Sequence, residues 1–222
     1  MRVIRGLAVA ALVALDVSVA SAQADRHFKD SWFWGVHGGA MSYQVMSTTG
    51  TTIAPLGGVH WLLTRTNGGL YVAVDQSFFK QSVFVNDSIS PLDTVPRQVN
   101  LQDMRRFTLA GMLFPLQSER LHPYIGFGAM LNSIATATPI GTYRNGTQQT
   151  LVEGTVARFK TAGGPVIILG TQLKLPFSSF FVQSTATQAN DNFFLFTGTN
   201  WRVTLETGLR FNTGSSIDRM GH

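Results

Sequence analysis

The side chains with the most chemical potential are five charges: Asp75, Arg106, Arg202, Glu206 and Arg210. Three of them recur every fourth residue in the stretch WRVTLETGLRF, Trp201 to Phe211. On an extended strand that spacing keeps parity, so Arg202, Glu206 and Arg210 project from one side. A mixed-sign cluster of this kind can line an ion or proton path, serve a catalytic site, or hold strands in register by pairing. Enclosed charges must pair, because burying an uncompensated ion is costly, and the structural network is therefore the favoured reading. Hydrolysis or acyl transfer would need a serine, a histidine and an acid within reach of one another. The candidates are His37, His60 and His122 with Glu119, Glu153 and Glu206. None has a serine two residues away on the same face, and His37 and Ser42 differ by an odd number, which turns them to opposite faces. Metal binding lacks cysteine and any pair of histidines at ligand spacing. The expectation is no catalytic, metal or cofactor site.

The element that positions these charges is the same stretch. Opposite the charges lie Trp201, Val203, Leu205, Leu209 and Phe211, an apolar face that begins and ends in large aromatics. Ten rises of about 3.4 Å, tilted by about 40°, cover about 25 Å, the height of the apolar band on a membrane-spanning barrel. Such a strand turns its charges into a lumen. Trp32, Trp34, Trp61, Trp201 and Phe211 are the candidate aromatic girdle.

The bulk composition permits this. Met1 to Arg5 is short and basic, Gly6 to Leu15 is apolar, and Ala20-Ser21-Ala22 and Ala22-Gln23-Ala24 are small-x-small cleavage sites, so residues 1–24 read as a secretory signal. No later segment has the apolar length of a membrane helix, which leaves strands as the means of crossing and a closed barrel as the form. Only 13% of residues are charged and 22 are glycine, a composition for strands and turns with no helix of consequence. Without cysteine, an exported chain depends on sheet closure and lumenal packing. The calculated pI is near 10.0, but the basic residues are scattered singly, which argues against nucleic acid.

Eight alternating segments can be placed between residues 32 and 212, leaving 213–222 as a tail. Thr66-Asn67-Gly68-Gly69, Pro115 to Glu119 and Pro176 to Ser178 are short turns after the second, fourth and sixth strands. Longer connections are expected over Lys80 to Gln98, Ala135 to Glu153 and Thr187 to Asn200. Asn145-Gly146 predicts a hairpin protruding between the fifth and sixth strands, and Gly163-Gly164-Pro165 predicts a bulge or bend in the sixth. Alternation of short and long connections is the habit of outer-membrane barrels. A soluble lipocalin-like barrel also has eight alternating strands, but tryptophan at both ends of the apolar face and Gly with Tyr on the opposite one favour the membrane form.

His122-Pro123-Tyr124-Ile125-Gly126-Phe127-Gly128 and Trp201 to Phe211, with the signal segment, make residues 25–222 resemble the small eight-stranded outer-membrane β-barrel proteins, the group of the OmpA membrane domain, OmpX and the opacity porins. The resemblance implies an all-β, antiparallel, up-and-down transmembrane barrel in the outer membrane of a Gram-negative-type envelope. It also implies a monomer that meets outer-membrane lipid and the barrel-assembly machinery. Phe211 resembles the terminal aromatic of that group, although Asn212 to His222 follow it. The expected role is structural or surface interaction, with an extracellular protein partner meeting the long connections. A small porin, a lipid-modifying enzyme and the soluble carrier are the alternatives.

Overall fold

The computed structural model describes residues 30–44, 51–87, 95–116, 120–175, 178–188, 193 and 201–215. The signal segment and the last residues of the tail lie outside them. Eight strands follow in order: β1 (Ser31–Gln44), β2 (Thr51–Thr64), β3 (Gly68–Asp87), β4 (Val95–Leu113), β5 (Leu121–Pro139), β6 (Thr161–Lys174), β7 (Ser179–Gln188) and β8 (Trp201–Ser215). Each pairs antiparallel with the next, and β8 returns to β1 to close an up-and-down barrel. The row of paired residues that starts at Trp32 passes through Leu63, Leu70, Gly111, Phe127, Ile167 and Ala186 to Val203. It begins at one end of β1 and finishes near the opposite end of β8, a climb that requires strands tilted by about 40°.

Alternation decides what faces where. Val36, Val59, Val74, Phe107, Leu109, Phe127, Leu131, Leu169, Val203 and Leu205 are exposed on the outer wall, while the residues between them fill the lumen. The apolar wall is bounded by aromatics. At the end carrying the short turns, Trp34 pairs with both Trp61 and Phe211, and the Trp32 ring lies 4.8 Å from that of Trp61. Trp201 stands at the other end, paired with Gln188.

Four expectations are corrected. The chain has a helix, α1 (Gly146–Phe159), where a protruding hairpin was expected. Asn145 is its N-cap: Asn145 Oδ1 accepts the Gln148 N–H at 2.9 Å, and Gln148 Oε1 accepts the Arg144 N–H at 2.7 Å, so two backbone donors at the helix start are satisfied reciprocally. Gln148, Val152 and Val156 recur at helical spacing and are buried. Secondly, Lys80 to Gln98 is mostly strand rather than connection. Phe79, Val83 and Val85 keep the inward parity and Pro96 sits at the exposed start of β4, so the link shrinks to residues 88–94, outside the described set. Thirdly, Gly163-Gly164-Pro165 pairs with β5 in unbroken register. Pro165 lies one residue past the last β7 pair, an edge position that tolerates proline. Finally, β8 runs into the supposed tail, with Gly214 and Ser215 opposite Trp32 and Ser31 after a bulge at Thr213 of β8.

Candidate functional site

The lumen has three levels. At the short-turn end, Phe33, Leu62, Tyr71, Met112, Phe114, Met130 and Ile168 form an apolar layer. At the helix end, Met41, Tyr43, Phe79, Val83, Leu101, Met104 and Ile134 form another, and Val152 and Val156 of α1 pack onto it as a cap. Between them lies the polar layer.

Arg106 is its centre. Its Nε donates to Asp75 Oδ2 at 2.8 Å, its Nη2 donates to Glu206 Oε1, and its Nη1 donates to Thr204 Oγ1 at 3.2 Å. Glu206 also accepts from Thr204 Oγ1 at 2.9 Å and from Gln183 Nε2 at 2.6 Å. Arg210, fully buried, donates to His60 Nε2 at 3.1 Å, Gln172 Oε1 at 2.6 Å, and Tyr124 Oη and Gln183 Oε1 at 3.3 Å each. Its guanidinium lies 4.0 Å from the centre of the Phe181 ring.

The two histidines complete a circuit. Because Arg210 can only donate, His60 Nε2 must accept, which leaves the proton on His60 Nδ1. That proton faces His37 Nδ1 at 3.0 Å, so His37 accepts there and carries its own proton on Nε2, against Asp75 Oδ1. Both imidazoles are then neutral, in tautomers fixed by their partners, and Asp75 and Glu206 balance Arg106 and Arg210. Hydrogen bonds run from Arg210 through His60, His37, Asp75, Arg106, Glu206 and Gln183 back to Arg210. With Tyr124 and Gln172, all eight strands of the barrel contribute a side chain. Glycines make the room: a Cβ on Gly170 would stand 2.7 Å from the Tyr124 hydroxyl.

Of the five charges singled out in the sequence, Asp75, Arg106, Glu206 and Arg210 are brought together here. Arg202 is not in the circuit. It lies on the same face of β8 but further toward the helix end, where its Nη1 meets Met104 Sδ at 3.7 Å. Sequence reasoning missed His37 and His60 as members, along with Tyr71, Tyr124, Gln172 and Gln183. Their inward parity was readable; their common level was not. His122 is buried near the start of β5, at the far end of that strand from the helix. Among the described residues no group of three or more His, Asp or Glu side chains is arranged to hold a metal.

A second, smaller pairing fixes the helix. Arg97 Nε donates to Asp87 Oδ2 at 2.6 Å and Gln148 Nε2 of α1 donates to the same oxygen at 2.9 Å. Arg97 also holds the Ile140 and Thr142 carbonyls at 2.9 and 3.0 Å, and its guanidinium lies 4.3 Å from the centre of the Tyr143 ring.

No protein-family model matches the chain, and no curated protein matches its sequence. Among solved structures, the chain is similar to Neisserial surface protein A, with a TM-score of 0.51 and 10% identity over 81% of this chain and 96% of that one. It also matches Ail, the attachment invasion locus protein of Yersinia pestis, at a TM-score of 0.45 and 7% identity, over 83% and 99% of the two chains. At such identities the first likeness establishes a common fold, that of the small eight-stranded outer-membrane barrels, and the second adds nothing to it.

Proposed function

We propose that the chain, freed of its first 24 residues, spans the outer membrane as a single sealed barrel and works there as a structural or surface-interaction protein. Catalysis and conduction are not its role in this reading, and it uses no cofactor. The observation that carries it is the hydrogen-bonded circuit across the lumen. With Tyr124 and Gln172 bonded to Arg210, it draws a side chain from every strand, and apolar layers lie above and below it. A water-filled path has no obvious course through three such levels. The circuit also leaves little for chemistry. Both ring nitrogens of His37, both of His60 and both carboxylate oxygens of Asp75 are engaged, and Ser77, on the same face as Asp75, turns its hydroxyl to Met41 Sδ at 3.8 Å. Export by the signal segment, insertion by the barrel-assembly machinery and contact with outer-membrane lipid belong to the same proposal.

Recognition then falls to what stands beyond the apolar wall. With Asn145-Gly146 inside a helix cap, that segment offers no strand edge. β3 offers one instead. β2 pairs with it only as far as Leu56 and Ser77, while β3 continues to Asp87 with β4 along its other side. Phe78 and Phe84 are exposed on this extension. An extended segment of an extracellular protein partner can add to such an edge, with apolar side chains against the two phenylalanines. Single-channel recording in a planar bilayer, beside a lipid A modification assay, tests the proposal. Silence in both is expected. Steady conductance would make the protein a porin, and a shortened or acylated lipid would make it an enzyme.

A further inference from the structure

Toward the helix end, the outer wall carries two exposed cations, Lys80 and Arg105, close together on one side. Along β4 the exposed row Leu113, Leu109, Phe107 ends at Arg105, whose partners in register are Gln76 on β3 and Ser133 on β5, both polar. Lys80 is exposed on β3 opposite Gln102. Three rises along β4, about 10 Å, separate Gln102 from Arg105, a gap that two long cationic stems can close on a common anion. Lys160, just after α1, is placed beside them, because its carbonyl accepts the Ile134 N–H at 2.9 Å next to Ser133. None of the three forms an ion pair among the described residues. The adjacent carboxylate, Asp103, sits in the bulge between β3 and β4 with φ of 55° and is turned to accept the Phe79 N–H at 3.3 Å. Among the described residues, the opposite wall presents Ser42, Gln188 and Trp201 at the same rim, none of them charged.

If the apolar wall lies in a bilayer, Arg105 stands where hydrocarbon gives way to headgroups, and a cation there is stabilised by reaching an anion. We propose that Arg105 and Lys80, flanked by Lys160, bind the phosphomonoester of an anionic lipid in the leaflet at the helix end. This rests on the membrane-spanning reading above, and it adds a lipid site confined to the β3 to β6 side of the barrel.

The test uses the full chain refolded into nanodiscs of phosphatidylcholine, pure or with one tenth phosphatidic acid. Bound lipid is counted by native mass spectrometry. The expected result is retention of phosphatidic acid over phosphatidylcholine, reduced about thirtyfold in the double variant Lys80→Gln/Arg105→Gln, since each of the two cations near a surface is worth about 1 kcal/mol. Arg65→Gln/Lys174→Gln, at the short-turn end, should retain it as the parent does. Equal retention by the parent and Lys80→Gln/Arg105→Gln overturns the site. Quenching of tryptophan by brominated phosphatidylcholine in the pure discs separates the two ideas. Quenching with no effect of the variant sinks the lipid site alone, whereas no quenching sinks the membrane reading and the site together.

Discussion

Replacing Arg106 with Met should be among the most damaging single changes in the barrel. The Arg106, Asp75 and Glu206 side chains are 3%, 1% and 2% exposed, so water offers no substitute for the lost guanidinium. Asp75 would keep the Nε2–H of His37, and Glu206 would keep Thr204 and Gln183, but the circuit would pass from neutral to a net negative charge. Removing one partner of a buried pair typically costs about 3 to 5 kcal/mol, and that is the expected loss. The stronger prediction is a comparison. Arg106→Met/Glu206→Met removes one charge of each sign and restores neutrality, with Asp75 still linked through His37 and His60 to Arg210. It should be more stable than Arg106→Met alone, although it carries one more substitution. Urea unfolding of barrels refolded in phosphatidylcholine bilayers, followed by the fluorescence of the four tryptophans, measures all three proteins. A loss below about 1 kcal/mol for Arg106→Met would mean the layer is solvated and the circuit is not what holds it. A double variant as unstable as Arg106→Met, or less stable, would show that charge balance plays no role.

Other changes test the remaining assignments. Leu205 is 60% exposed on the outer wall, and Leu205→Arg should cost about 2 to 4 kcal/mol in a bilayer, by the same titration; a harmless arginine there would mean the faces are reversed. Asn145→Ala removes the side chain that caps α1 and should weaken the helix by about 1 kcal/mol, seen as faster hydrogen exchange in residues 146–159 with the strands unchanged. Gly170→Ala sets a methyl 2.7 Å from the Tyr124 hydroxyl and should cost about 1 to 3 kcal/mol, again by urea unfolding.

The contrast between Glu206 and Arg202 shows what the sequence could tell. Parity along β8 puts both in the lumen, and parity is a local property that survives any register, so the faces of nearly every strand were legible from one residue to the next. Height is not local. Strands tilted by about 40° displace each neighbour along the barrel axis, and the partner of a lumenal residue depends on pairings accumulated around the wall. Thus Glu206 meets Arg106, a hundred residues away, while Arg202, four positions along the same face, meets a methionine. His37 and His60 looked like solitary histidines for the same reason: the fold brings them to one level with Asp75, and nothing in their spacing announces it. The helix was hidden differently. Asn145-Gly146 serves both a tight hairpin and a helix N-cap, and only the period after it separates them. Gln148, Val152 and Val156 recur every fourth residue, so the long connection after β5 is an apolar cap seated on the barrel rather than a strand edge offered to partners. In the proposed reading, recognition then rests on the β3 and β4 hairpin, where a connection was expected from Lys80 although alternation continues through Val85.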